Sequence, residues 1–187
     1  MKTEIAGITR ANEGIQGISW NILGQTYVPK NVTEHSFSWH ATFPPETFVP
    51  PHIHPDQDEY LYILEGQLDF FLDGADTQAT PGDLVRLPMG KPHGIFNKSQ
   101  QNAKTLFWVS PTRRLYELFW AIHNMREQKP DDVVKLAAAV HDPAKTTTGM
   151  FFDWTITGNW SWQAPADAFD EELAARLREV VQQAGRR

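Results

Sequence analysis

The chain contains no cysteine. This excludes disulfide bridges, thiolate metal ligands and a cysteine nucleophile, and it leaves the redox compartment open. Excess positive charge is also lacking: 17 Lys and Arg stand against 23 Asp and Glu, a net charge of −6. With no basic block, no nucleic-acid partner is expected. No apolar run approaches the roughly 20 residues of a membrane span. The opening MKTEIAGITRANEG has no apolar stretch of signal-peptide length. A cytoplasmic protein without a membrane partner is the expectation. Internal repeats and low-complexity tracts are absent as well. At 187 residues and 41% hydrophobic content, one core-forming domain with an appendage is expected.

What is present is concentrated between Pro50 and Asn97, where PPHIHPDQDEYLYILEG is followed by PGDLVRLPMGKPHGIFN. His52 and His54 are two apart, and in a strand residues i and i+2 face the same way. Glu59 lies at an odd offset from His54. The intervening Pro55-Asp56-Gln57-Asp58 is turn chemistry, so the chain reverses and Glu59 opens the next strand facing back at the histidines. His93 arrives through a Pro/Gly-rich approach of Pro81, Gly82, Pro88, Gly90 and Pro92. Imidazole and carboxylate ligands suit Zn, Fe, Ni, Mn, Co or Cu. Four protein ligands on an ion that accepts five or six leave positions for water, substrate or oxygen, the mark of a reactive site.

The same residues resemble the two motifs of the cupin superfamily. In the first, G-x5-H-x-H-x3,4-E-x6-G, the positions His52, His54, Glu59 and Gly66 match, while Glu46 stands where the family has its leading glycine. In the second, G-x5-P-x-G-x2-H-x3-N, Gly82, Pro88, Gly90, His93 and Asn97 match. The resemblance covers residues 35–110. It implies an all-β jelly-roll barrel of the cupin (RmlC-like) kind with a metal near its mouth, held by three histidines and one glutamate. Glu46 departs at a turn position, which touches the local backbone and not the ligands.

Taken in order, Ile18 to Val28 reads as two short strands broken at Gly24. Phe37, Trp39, Ala41 and Phe43 alternate with Ser38, His40 and Thr42, the pattern of a half-buried strand. His35 and His40 are expected at the surface. Strands are predicted at 59–64, 67–72, 76–80, 84–87, 94–97 and 104–109, with Asp73-Gly74 as a hairpin turn. If Glu59 and His93 point inward, so do Leu61, Ile63 and Ile95. Phe37, Trp39, Phe43, Phe48, Phe70 and Phe107 join them as expected walls of an apolar pocket, which would suit a small organic substrate.

Residues 1–110 are thus expected to form the barrel with an N-terminal arm, and 111–187 a helical extension packed on it. Ser110-Pro111 is expected to open a helix, as N-cap and first helical position. Leu115, Leu118, Phe119 and Ile122 form its apolar stripe. Further helices are expected at 131–140 and 170–184, with His123 and His141 as surface or packing residues. The Trp-rich stretch 143–165 (Trp154, Trp160, Trp162) is expected to be a lid, a dimer contact or a wrap over the barrel. The barrel with its tail resembles the quercetinase-like flavonol dioxygenases. That resemblance implies a second role for the ligand Glu59, as the base that takes the substrate's hydroxyl proton.

The functional expectation is a metal-dependent oxidoreductase, a dioxygenase acting on a small, aromatic or flavonol-like molecule. It would use one divalent transition metal per chain (Fe, Ni, Mn, Co or Zn) and work as a homodimer. The alternatives are a non-redox sugar isomerase, which wants cationic residues for phosphate, and a non-catalytic ligand-binding cupin.

Overall fold

The structure is a computed structural model, and it describes residues 6–54, 56–129 and the backbone of 151–152. The strands are β1 (Trp20–Ile22), β2 (Gln25–Val32), β3 (Phe37–Phe43), β4 (Phe48–Ile53), β5 (Asp58–Glu65), β6 (Leu68–Leu72), β7 (Ala75–Ala79), β8 (Leu84–Leu87), β9 (His93–Phe96), β10 (Ala103–Ser110) and β11 (Phe151–Phe152). Among the described residues one α-helix, α1 (Leu115–His123), follows β10. Every strand pair is antiparallel. One sheet has the order β1-β2-β3-β10-β5-β8 and the other β11-β4-β9-β6-β7, a jelly roll.

Alternation decides which side of each strand is covered. β3 buries Phe37, Trp39, Ala41 and Phe43, and β5 buries Glu59, Leu61 and Ile63. β10 sits between them, with Phe107 opposite both Trp39 and Leu61. This register lays aromatic rings on one another: Trp39 stacks on Phe107 with centroids 5.0 Å apart, and Phe37 on Trp39 at 4.7 Å. Such pairs contribute about 0.5–1.5 kcal/mol each beyond the area they bury.

The turns match their residues. Asp73 and Gly74 both have positive φ (45° and 95°) and join β6 to β7 with Leu72 opposite Ala75, a two-residue hairpin of the primed kind. Glu46 also takes a positive φ of 64°. It adopts the left-handed turn conformation where the motif calls for glycine, at a cost of roughly 1–2 kcal/mol.

One expectation is corrected here. Ser110 does not cap a helix, because β10 runs through it and its Oγ donates to the His35 carbonyl. The helix begins later, at Leu115, and Arg114 before it makes no side-chain capping bond. The apolar stripe stands as expected: Leu115, Leu118, Phe119 and Ile122 are the buried residues of α1. In β6, Phe71 is buried beside Leu68 and Phe70, while Leu72 is only partly covered. The expected helices at 131–140 and 170–184, His141 and the tryptophans of 143–165 lie outside the described residues. Among the described residues no helix is long and apolar enough to cross a membrane.

Candidate metal centre

Three segments from two sheets converge on one point. β4 supplies His52, and His54 follows directly after its end. β9 pairs with β4 and sets His93 opposite His52. β5, in the other sheet, supplies Glu59. The second-motif loop holds the first in place, since the Gly90 N–H donates to the His54 carbonyl and the Met89 N–H to Asp58. Gly90 makes that approach with a φ of 73°. Asn97, also in the motif, donates through its amide to the carbonyls of Phe43 and Gln101, and its Oδ1 accepts from Ser99. Its work is to hold the turn, not to meet a ligand.

The ligand atoms form a ring. His52 Nε2 lies 3.0 Å from His54 Nε2 and 3.1 Å from His93 Nε2. Glu59 Oε2 closes the ring, 3.2 Å from His93 Nε2 and 3.5 Å from His54 Nε2. All four residues are buried, the most exposed being Glu59 at 5%. Each Nδ1 faces an oxygen that can only accept: Pro50 O at 2.8 Å from His52, Lys91 O at 3.0 Å from His93, and Gln57 Oε1 at 2.7 Å from His54. The Nδ1 atoms therefore carry the protons, and the Nε2 atoms turn lone pairs toward one another.

Burial deepens this state. It pushes the His52 imidazole well below its ordinary range, helped by the neighbouring His93 and His54. Burial also lowers His54, partly opposed by the Glu59 carboxylate. Bare nitrogens about 3 Å apart repel, and a cation among them reverses the sign. Metal–nitrogen bonds of about 2.1 Å put neighbouring ligand atoms roughly 3.0 Å apart in an octahedron and 3.4 Å in a tetrahedron, and the observed edges span that range. The donor set fits a divalent transition metal.

The ring opens on a cavity of about 30 Å3, enough for about two waters. Its polar residues are His52, His54, Glu59, Gln25 and Tyr27, and the rest of the lining is apolar or aromatic. Tyr27 donates its hydroxyl to Gln25 Oε1 at 2.8 Å, and Gln25 Nε2 donates to the Phe48 carbonyl. Burial, with the Glu59 charge added, raises the Tyr27 phenol well above its ordinary value, so it stays protonated at neutral pH. Trp39 lines the cavity too, and its buried indole N–H makes no hydrogen bond among the described residues.

Of the walls expected from sequence, Trp39, Ile95 and Phe107 line this cavity. Phe37, Phe43, Leu61, Ile63 and Phe70 are inward-facing but fully buried in the barrel core, outside the lining. Their inner faces are taken up by other side chains, as when Phe43 stacks on Phe107. Phe48 is half-buried and stacks on Phe96 instead. Sequence reasoning missed Leu115, Phe119 and Ile122 of α1, which close one side of the cavity. It also missed Gln25, Tyr27 and Gln57. The even spacing of Gln25 and Tyr27 with the burial pattern of β2 was a usable signal. Gln57 sits in a polar turn and reads as solvated, so no local signal marks it. His35 is exposed and His40 partly so, and the His123 ring accepts from the Asn21 N–H.

The family described as Cupin domain matches residues 39–109. Tetracenomycin polyketide synthase protein TcmJ of Streptomyces glaucescens is 31% identical over 75 residues, 40% of this chain and 50% of that protein. Quercetin 2,3-dioxygenase of Bacillus subtilis is 35% identical over 52 residues, 28% of this chain and 15% of that protein. The chain thus spans half or less of these relatives. The structure of KdgF from Halomonas sp. superposes with a TM-score of 0.53 at 20% identity, covering 59% of this chain and 99% of that one, a likeness of fold. The domain match runs from β3 to β10, the strands that carry the motif residues, so residues 39–109 are similar to the cupin domain family and the jelly roll around them is the fold this likeness calls for.

Proposed function

We propose that this chain is a metal-dependent cupin oxidoreductase, a dioxygenase for a small organic molecule with an acidic hydroxyl, such as a phenol or enol. One observation carries the reading: four buried ligand atoms converge, and three of the residues that bear them, His52, His54 and Glu59, line a largely apolar cavity. His52, His54 and His93 would hold the ion through Nε2 and Glu59 through Oε2. A bound Fe, Ni, Mn, Co or Zn would supply Lewis acidity and a template for substrate and oxygen.

The chain's own residues do the rest. Glu59 can accept the hydroxyl proton, since a ligating carboxylate swings more readily than an imidazole. The Trp39 indole N–H, which has no partner among the described residues, would be the donor to a substrate oxygen, while the Tyr27 hydroxyl proton is already given to Gln25. Leu115, Phe119 and Ile122 keep water out. At about 30 Å3 the cavity is far smaller than the several hundred needed by a drug-sized ligand. A flavonol-sized ring system enters only if the α1 wall gives way.

The sugar-phosphate alternative loses ground on charge. Among the described residues no lysine or arginine lines the cavity. Arg86 is exposed on β8, and Lys91 pairs with Asp73 at 2.7 Å. A homodimer acting in the cytoplasm, without nucleic-acid or membrane partners, completes the proposal.

The test joins elemental analysis of protein from its own host to oxygen uptake with a panel of phenols and enols. Near-stoichiometric Fe, Ni, Mn or Co, absent from a His52→Ala/His54→Ala variant, with substrate-dependent oxygen consumption, is the expected result. Metal without oxygen consumption across the panel would move the chain to the isomerase or ligand-binding class.

A further inference from the structure

We propose that Gln57 is the positioning residue that joins the metal centre to the segment covering it. The inference rests on the metal reading above and adds a residue that neither the motifs nor the ligand ring contains.

His52 and His93 are each oriented by a carbonyl two residues back in their own segment, Pro50 and Lys91. His54 has passed the end of β4 and is oriented by a side chain instead, Gln57 Oε1 at 2.7 Å. Gln57 is fully buried. Its Nε2 donates to Pro111 O at 2.7 Å and Thr112 O at 2.9 Å. A primary amide has two N–H donors, and both are used. Because carbonyls cannot donate, Nε2 must face them and Oε1 must face His54. The amide orientation is therefore forced, and with it the His54 tautomer that leaves Nε2 bare for a metal.

The far end of this link matters as much. Pro111 and Thr112 lie between β10 and α1. Thr112 is in turn bound to the β2–β3 turn, its hydroxyl donating to Thr33 O and its N–H to Glu34 O. Three residues on, Leu115 begins the α1 wall of the cavity. A shift of the helix root thus pulls on the amide that aims His54. Arg113 and Asp56 also bridge these segments, at 3.2 Å, but both are over a third exposed, and such pairs contribute little. The buried amide carries the connection. By linkage, metal that holds His54 must also hold the cover, and the cover must raise metal affinity by the same factor.

The experiment uses the full chain, stripped with chelator and titrated with Co(II). Affinity, the visible spectrum of the bound ion and amide exchange over residues 112–118 are followed for wild type, Gln57→Ala and Gln57→Glu at pH 8. Gln57→Ala is expected to lose about 10- to 100-fold in Co(II) affinity, as outer partners of metal ligands do, and to shift the spectrum. Gln57→Glu still accepts from His54 Nδ1–H, so it should recover the spectrum and most of the affinity. It cannot donate to two carbonyls, so its exchange at 112–118 in the Co(II) form should stay as fast as in Gln57→Ala. Equal affinity and spectrum in Gln57→Ala and wild type would overturn the proposal. So would a Gln57→Glu no better than Gln57→Ala, or one whose exchange matches wild type. If Gln57→Ala does not fold, Gln57→Glu against wild type decides. A wild type that binds no Co(II) overturns the metal reading itself, and this inference with it.

Discussion

Replacing Phe119 by alanine probes the α1 wall from both sides, stability and access. The side chain is 5% exposed and lines the cavity. Its ring sits edge-on to Tyr27 and Trp39, each at 5.2 Å, and lies 5.9 Å from Phe37 and 6.1 Å from Trp20. Phe→Ala in a core costs about 3–5 kcal/mol, rising with the space left behind. These four neighbours are rings fixed in strands and cannot collapse into the gap, which argues for the upper half of that range. A domain of ordinary stability, about 5–15 kcal/mol, survives the loss in most of that interval. Phe119→Leu keeps the apolar volume better and should cost under about 2 kcal/mol. Urea unfolding at pH 7.5, followed by tryptophan fluorescence, reads both values. The enlarged cavity joins the existing one of about 30 Å3 and should then admit a benzene-sized probe, as engineered apolar cavities of roughly 150 Å3 do. A loss below about 1 kcal/mol, or no probe binding in a folded Phe119→Ala, would refute the view that α1 seals the site.

The metal should stabilise the fold, and pH should tune that effect. At a free ion concentration 100 times Kd the gain is about 2.7 kcal/mol, or a Tm rise of roughly 5–11 °C for a chain of this size, and chelator should reverse it in a thermal scan. His52 and His54 have depressed pKa values in the folded state, so the unfolded chain takes up protons first as pH falls through about 6.5; apo-protein stability should drop from there toward the lowered folded values. A Tm flat between pH 7 and 5 would contradict the buried neutral imidazoles. Gly66 has a φ of 72°, and a Cβ there would lie 2.6 Å from Asn102 O and 2.8 Å from Ala103 Cα. Gly66→Ala should therefore cost at least about 2 kcal/mol, strain plus overpacking. Glu46→Gly, which relieves a φ of 64°, should stabilise by roughly 1 kcal/mol or be neutral, with guanidinium unfolding as the measure.

Local chemistry was enough for much of this protein. Alternation in β3 and β5 placed Phe37, Trp39, Leu61 and Ile63 inside, because a pleated strand leaves no choice once one face is covered. The turn chemistry of Pro55-Asp56-Gln57-Asp58 predicted a reversal that aims Glu59 at His52 and His54, and the spacing to His93 completed a ligand set that the fold assembles with donor atoms within 4.8 Å of one another. What the sequence could not express was which inward residues share one cavity. Phe37, Phe43 and Phe70 alternate as well as Trp39 and Phe107 do, and only the stacking of two sheets consigns them to core. The start of α1 was misread because Ser110 and Pro111 carry helix-start chemistry, while β3 and β5 hold β10 in strand through Ser110 and Gln57 claims the carbonyls that follow. Gln57 itself shows the boundary most sharply. Its meaning depends on partners more than 50 residues away, and hydrogen bonds of that span leave no trace in local pattern. The ligands were legible because each is named by its own chemistry and spacing. Their orientation, and the wall that encloses them, were settled by packing between segments far apart in the chain.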